Sequence, residues 1–278
     1  MSADFVRINW CGKHFGEEPP LVGKKGSGTI FFTGCNLRCV FCQNHEISQT
    51  VTGKKYDNDE LVDIMLGLQA EEAANINLVT PTIWHPVLLT ALTSARQKGL
   101  TIPVIWNSNG YEKVEMLRKF EGLVDIYLPD FKYGENKTAK HFSKIEGYVE
   151  KAKAAIKEMK RQVGRLRINE DGYAEKGLLV RHLIMPGHVE NSLKVLQILA
   201  DINPQIHISL MSQYYPAYKA LDYPPLNRKL NPEEFKTVQK TMLELGLENG
   251  WCQDFDSSED FLPDFEQETP FKNLPDDL

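Results

Sequence analysis

The sequence predicts an α/β fold: a partial (β/α)6 TIM-like barrel of parallel strands, with a cysteine-bearing loop after its first strand. Three observations carry this expectation. Short apolar runs alternate six times in series with stretches of helical apolar periodicity, the pattern of a parallel sheet covered by helices. Six units are too few to close an eight-stranded barrel, so the sheet should curve and stay partly open. Polar residues collect just after the apolar runs, at the strand ends where parallel α/β folds place their sites.

Each element has its own warrant. Residues 1–28, rich in Gly, Pro and Lys, read as an irregular lead-in. The first strand is 29–33, and the cysteine loop leaves its C-terminal end. Asp57-Asn58-Asp59 can cap a helix in which Leu61, Ile64, Met65 and Leu68 share a face. A second strand, 76–80, leads through Pro81-Thr82-Ile83-Trp84-His85 to a helix that starts at Pro86 and stops at Gly99. Strands over 102–106 and 124–128 flank a helix at 111–120. After a polar loop, Val149, Ala152, Ile156, Met159 and Val163 lie on one helical face that ends at Gly164. The fifth strand is 178–184, followed by a helix through Leu193, Leu196 and Leu199, and the sixth is 206–210. Asn231-Pro232-Glu233-Glu234 is a capping box for a last helix buried through Phe235, Val238, Met242 and Leu245. The domain limits are therefore 29–248 for the barrel and 249–278 for an acidic tail (Asp254, Asp256, Glu259, Asp260, Asp264, Glu266, Glu268) laid over the surface.

With 278 residues, 42% of them hydrophobic and 25% charged, the chain can bury a sizeable core. A net charge of −6 without a Lys/Arg stripe speaks against nucleic acid as a partner. No run approaches the roughly 18 apolar residues of a membrane span, and the N-terminus has no signal-peptide apolar core. An odd, tightly clustered set of cysteines is not a disulfide framework; it fits a metal and a reducing, cytoplasmic setting. Lys13, Lys24, Lys25, Arg38, Lys54 and Lys55 read as a solvated surface or as a docking patch for an acidic electron donor.

Three of the five cysteines, Cys35, Cys39 and Cys42, fall within eight positions as Cys-x3-Cys-x2-Cys. Thiolates crowded on one loop repel unless something positive holds them. A structural zinc would need a fourth ligand, for which His45 is the nearest candidate. An electron-transfer iron–sulfur centre would need Cys11 or Cys252 as its fourth cysteine. A [4Fe–4S] cluster held by three cysteines would leave one iron open to a ligand from the substrate side.

The residues themselves resemble a known family. Cys35-x3-Cys39-x2-Cys42, with Phe41 just before the third cysteine, is similar to the signature of the radical S-adenosylmethionine (SAM) superfamily. Over roughly 27–250, Gly34-Cys35-Asn36-Leu37-Arg38-Cys39, Asn107-Ser108-Asn109-Gly110, Asp130-Phe131-Lys132 and Arg181-His182-Leu183-Ile184-Met185-Pro186-Gly187 resemble the pyruvate formate-lyase activating enzymes. The single-domain activating-enzyme-like branch is the most similar, with Met211-Ser212-Gln213-Tyr214-Tyr215-Pro216 also matching.

That resemblance implies a radical SAM enzyme that cleaves SAM reductively and abstracts hydrogen, from a protein glycine of a glycyl radical enzyme or from another protein or small molecule. It implies a flavodoxin- or ferredoxin-type electron donor. By the same resemblance Cys35, Cys39 and Cys42 are cluster ligands, Phe41 packs near the adenine, and Asn107 and Ser108 face the ribose or a cation. Asp130 and Lys132 match a motif whose Lys pairs with the SAM carboxylate, and Arg181 matches an Arg on the fifth strand that needs a carboxylate or carbonyl partner. The chain departs from the pattern after the second strand. There the family has Gly-Gly-Glu-Pro, while this chain has Thr80-Pro81-Thr82, whose hydroxyls and carbonyls would have to serve as SAM acceptors. His85, His182 and His188 are further candidates for the substrate side.

Overall fold

A computed structural model describes residues 4–252, 263–265 and 267–271. In chain order the elements are β1 (Val6–His14), α1 (Pro19–Val22), β2 (Ser27–Phe32), α2 (His45–Ser48), β3 (Lys54–Tyr56), α3 (Asn58–Ala70), β4 (Ile76–Val79), α4 (His85–Gln97), β5 (Val104–Ser108) and α5 (Val114–Arg118). They continue with β6 (Ile126–Pro129), α6 (Asn136–Ser143), α7 (Tyr148–Val163), β7 (Arg167–Ile168), β8 (Ala174–Leu183), α8 (Val189–Ile202), β9 (His207–Met211), α9 (Pro232–Glu244) and β10 (Gly250–Cys252).

The strands form one sheet in the order β10-β9-β8-β6-β5-β4-β2-β1-β3, with β7 paired to β8 at the side. From β2 through β10 every neighbouring pair is parallel. The order has two free ends, β10 and β3, so the sheet is open, as six β/α units require.

Alternate residues divide the sheet's two faces, because successive side chains of a strand point to opposite sides. Ile30, Phe32, Leu78, Trp106, Tyr127, Val180 and Leu210 face the helices and share one core with Leu61, Met65, Leu88, Leu92, Ile156, Met159, Val195 and Leu199. On the inner face Ile105, Ile126, Leu128 and Leu179 pack with Leu21 of α1, and Phe31 and Val79 pack with Ile47 and Phe265. The capping boxes at Asp57 and Asn231 form as expected.

Three expectations need correction. The lead-in is not irregular: β1 runs antiparallel to β2, and α1 follows it. The cysteine loop therefore follows the first parallel strand, which is the second in the chain. The tail does not begin at 249, since β10 adds a seventh parallel strand at 250–252. The polar loop after β6 contains the short helix α6. Of the acidic tail, Asp254, Asp256, Glu259, Asp260 and Glu266 lie outside the described residues. Within them, Phe265 is buried on the inner face and Phe271 packs beside it against Trp10 and Phe31.

Candidate active site

Chain geometry delivers the cysteine loop to the C-terminal end of β2. Gly34 turns it there with φ +79, and a Cβ at that position would meet Ile83 at 2.7 Å. Gly34 N–H donates to the Ile47 carbonyl at 2.7 Å, and the Trp84 indole donates to the Thr33 carbonyl at 2.9 Å. On its other side the loop pairs with the end of α6, where Arg38 N–H donates to the Ser143 carbonyl and Val40 N–H to the Phe142 carbonyl.

All three cysteines are free thiols, and each has its own polar neighbour. Cys35 Sγ accepts from Leu37 N–H and from Asn109 Nδ2, both at 3.4 Å. Cys39 Sγ lies 2.9 Å from Ser143 Oγ, which is 2.5 Å from the Tyr133 hydroxyl. Cys42 Sγ lies 3.1 Å from Ser48 Oγ. Burial raises all three thiols; the Cys39 charge adds to this for Cys35 and Cys42, and Cys42 is pushed up to about 12. The nearest cation, Lys132, lowers all three, but it is itself paired with Asp130.

Such a set, whose thiolate forms would repel one another, fits a strongly positive guest. Among the described residues no three His, Cys, Asp or Glu side chains converge tightly enough to hold a single metal ion, the geometry a structural zinc requires. His45, the candidate fourth zinc ligand, stacks on Tyr218 with ring centroids 4.8 Å apart. Cys11 lies on β1 beside Glu71 and Cys252 on the edge strand at the opposite end of the sheet order, so neither joins the loop. An iron–sulfur cluster, which takes thiolates on separate irons, suits this donor set.

The other sequence-predicted residues stand in one row along neighbouring strand ends. Thr80 N–H donates to the Asn107 carbonyl, Asp130 N–H to the Ser108 carbonyl, and Phe131 N–H to the Arg181 carbonyl. Thr80 has φ +58, a left-handed conformation unusual for a β-branched residue and at home in glycine. Gly110 (φ +75) lets the loop after β5 approach Asp130, whose carbonyl would lie 2.3 Å from an added Cβ. Lys132 keeps its charge: burial opposes it, but Asp130 and the Cys39 sulfur raise its pKa above the usual value. Phe41 is buried between Phe142 and Tyr214.

Arg181 is paired within the chain. Its guanidinium binds Glu17 and Glu18, both supplied by the N-terminal segment, and Asn77 donates to Glu17 at 2.8 Å. This supplies the carboxylate partner the sequence demanded, from a region it did not suggest. His182 is structural: fully buried, it bonds the Phe131 carbonyl at 2.7 Å and Ser192 Oγ at 2.8 Å. His85 bonds the Thr82 carbonyl at 3.0 Å, and His188 packs edge-on to Phe142.

The basic residues do not form one patch. Lys13, Lys24 and Lys25 flank the start of β2, with Lys25 over Tyr173, while Lys54 and Lys55 lie on edge strand β3. Arg38 alone belongs to the cysteine loop, where it donates to the Cys35 carbonyl at 2.8 Å.

Sequence reasoning missed Ser48, Ser143, Tyr133, Tyr148, Glu17, Glu18 and Glu112. Tyr148 shows why: its hydroxyl donates to the Asn109 carbonyl, 39 residues away, and accepts from Lys132 N–H, tying two loops that no local pattern connects.

The model of the radical SAM superfamily matches residues 29–194. An uncharacterized protein of Methanocaldococcus jannaschii, MJ0674, is 36% identical over 233 residues, which is 80% of this chain and 63% of that protein. The structure of Streptococcus suis SuiB bound to precursor peptide SuiA superimposes with a TM-score of 0.56 at 10% identity, covering 84% of this chain and 50% of the other. Spore photoproduct lyase complexed with dinucleoside spore photoproduct gives 0.50 at 14% identity, covering 80% of this chain and 74% of that one. The chain thus spans about half to two-thirds of the length of MJ0674 and SuiB, and at these identities the two solved structures speak for the fold alone. No helix among the described residues is long and apolar enough to cross a membrane. With the family model covering more than half of the sequence, the chain belongs to the radical SAM superfamily, whose members use an iron–sulfur cluster and SAM.

Proposed function

We propose that this chain is a radical SAM enzyme that uses a [4Fe–4S] cluster on Cys35, Cys39 and Cys42 to abstract hydrogen from a protein glycine, activating a glycyl radical enzyme. The observation that carries the reading is the donor set: three free cysteines on one loop, whose thiolate forms burial and one another's charge disfavour, and no trio of side chains tight enough for a single metal ion among the described residues. Cys35, Cys39 and Cys42 would hold the cluster, which, once reduced by an electron donor, would supply the one electron needed to cleave SAM to methionine and a hydrogen-abstracting 5′-deoxyadenosyl radical.

The chain's own residues supply binding, orientation and exclusion of water. Asn109 donates to the Cys35 sulfur, and Ser143 and Ser48 lie within hydrogen-bond distance of Cys39 and Cys42, contacts that orient the sulfurs as outer-shell partners do in metal sites generally. Lys132, held charged by Asp130, would meet the carboxylate of SAM, as the resemblance implies. Thr80, Thr82, Asn107 and Ser108 line the neighbouring strand ends as polar contacts. Phe41, Phe142 and Tyr214 wall the loop with aromatic surface. The open sheet supports a polypeptide loop as substrate, and the resemblance to the activating enzymes names the glycine.

A second reading, hydrogen abstraction from a small molecule, is favoured by how much of the inner face this chain covers itself, with Glu17, Glu18, Phe265 and Phe271. Anaerobic incubation of reduced enzyme and SAM with glycyl radical enzymes encoded beside its gene decides between them. A glycyl radical signal in electron paramagnetic resonance supports the first reading; SAM cleavage without that signal favours the second.

A further inference from the structure

The segment after β4, Thr80-Pro81-Thr82, has no carboxylate of its own. The fold brings one to it from the loop after β5. Glu112 is 2% exposed, and its Oε1 accepts from the Thr82 hydroxyl at 2.8 Å and from the Trp106 indole N–H at 3.0 Å. Its Oε2 is buried without a partner. Burial pushes the carboxyl above its usual range, against the bonds from Trp106 and Thr82. Burying a carboxyl beside neutral donors alone is costly, more than giving the buried Trp106 N–H an acceptor demands.

Its position is informative. Trp106 belongs to the helix-side core, so Glu112 sits behind the row of strand ends rather than in it. From there the carboxyl bonds Thr82, which stands at the candidate cofactor row. The segment needs such a hold, because Thr80 begins it in a left-handed conformation.

We propose that Glu112 is a positioning residue for SAM: acting through Thr82, it fixes the segment after β4 in the form that receives the cofactor. The inference rests on the family's use of SAM and on no particular substrate. It also explains how the segment dispenses with a carboxylate in its own sequence.

The test is SAM binding by isothermal titration calorimetry to anaerobically reconstituted full-length protein, with iron content measured in parallel. Glu112→Ala should weaken SAM binding about 10–100-fold, the usual cost of losing an outer-shell partner, with unchanged iron content. Glu112→Gln offers the same acceptor oxygen and should bind SAM nearly as wild type. Thr82→Val should weaken binding, and the Glu112→Ala/Thr82→Val double variant should be no weaker than the poorer single one, since both break one linkage. Wild-type affinity in Glu112→Ala, additive losses in the double variant, or a Glu112→Gln loss equal to that of alanine would each overturn the proposal. Should Glu112→Ala not fold, wild-type affinity in Thr82→Val overturns it as well. Wild-type protein that holds iron but does not bind SAM overturns the cofactor reading and this proposal with it.

Discussion

His182 is sealed between the Phe131 carbonyl and Ser192 Oγ, and burial lowers its pKa to about 4. The unfolded chain binds a proton near pH 6.5 that the folded chain refuses until about pH 4, so this residue's stability is complete above pH 6.5 and is lost as the pH falls toward 4. The loss amounts to about 3 kcal/mol across that window. Urea unfolding of wild type and His182→Gln at pH 7.5 and 4.5 checks it: wild type should lose more stability over the interval by about that amount. Thr80 makes a second residue-scale prediction. Its left-handed backbone costs of order 1–3 kcal/mol, so Thr80→Gly should leave stability unchanged or raise it by about 1 kcal/mol in a thermal melt. At this scale the sequence showed the three thiols, because a local spacing carries them. It did not show their donors: Ser143 comes to Cys39 from 104 residues away and Asn109 to Cys35 from 74.

At the scale of elements, the parallel strands and their helices were legible because each has its own apolar period. β1 was not, although Val6, Ile8 and Trp10 alternate with polar residues, because Gly, Pro and Lys around it mimic a loop and its stability comes from antiparallel pairing with β2. β10, three residues long, is too short to carry a period; it exists because β9 offers an unpaired edge. The N-terminal segment then does more than extend the sheet, since Glu17 and Glu18 neutralise Arg181 of β8. Arg181→Met leaves two carboxylates buried without a partner and should cost about 3–5 kcal/mol in urea unfolding. The C-terminal segment is held by Phe265, whose N–H donates to Glu46 Oε2 at 3.0 Å and whose ring packs 5.3 Å from Phe31. Phe265→Ala should speed hydrogen exchange of that amide while leaving the amides of β2 protected.

Across the whole molecule, the open parallel sheet gathers loops from β2, β4, β5 and β6, and a residue of β8, at one end. That gathering is what a serial β/α pattern implies, which is why the place of the site could be read before any contact was known. The inner face is furnished by segments at both ends of the chain, which no strand–helix period could announce. The central claim is that the cysteine loop holds a cluster whose open iron takes SAM. Anaerobic reconstitution with iron and sulfide, followed by iron analysis and assay of 5′-deoxyadenosine, tests it most directly. The account predicts about four irons per chain and SAM cleavage in wild type, with both lost in Cys39→Ala; one zinc per chain without cleavage, or cleavage that survives Cys39→Ala, would contradict it.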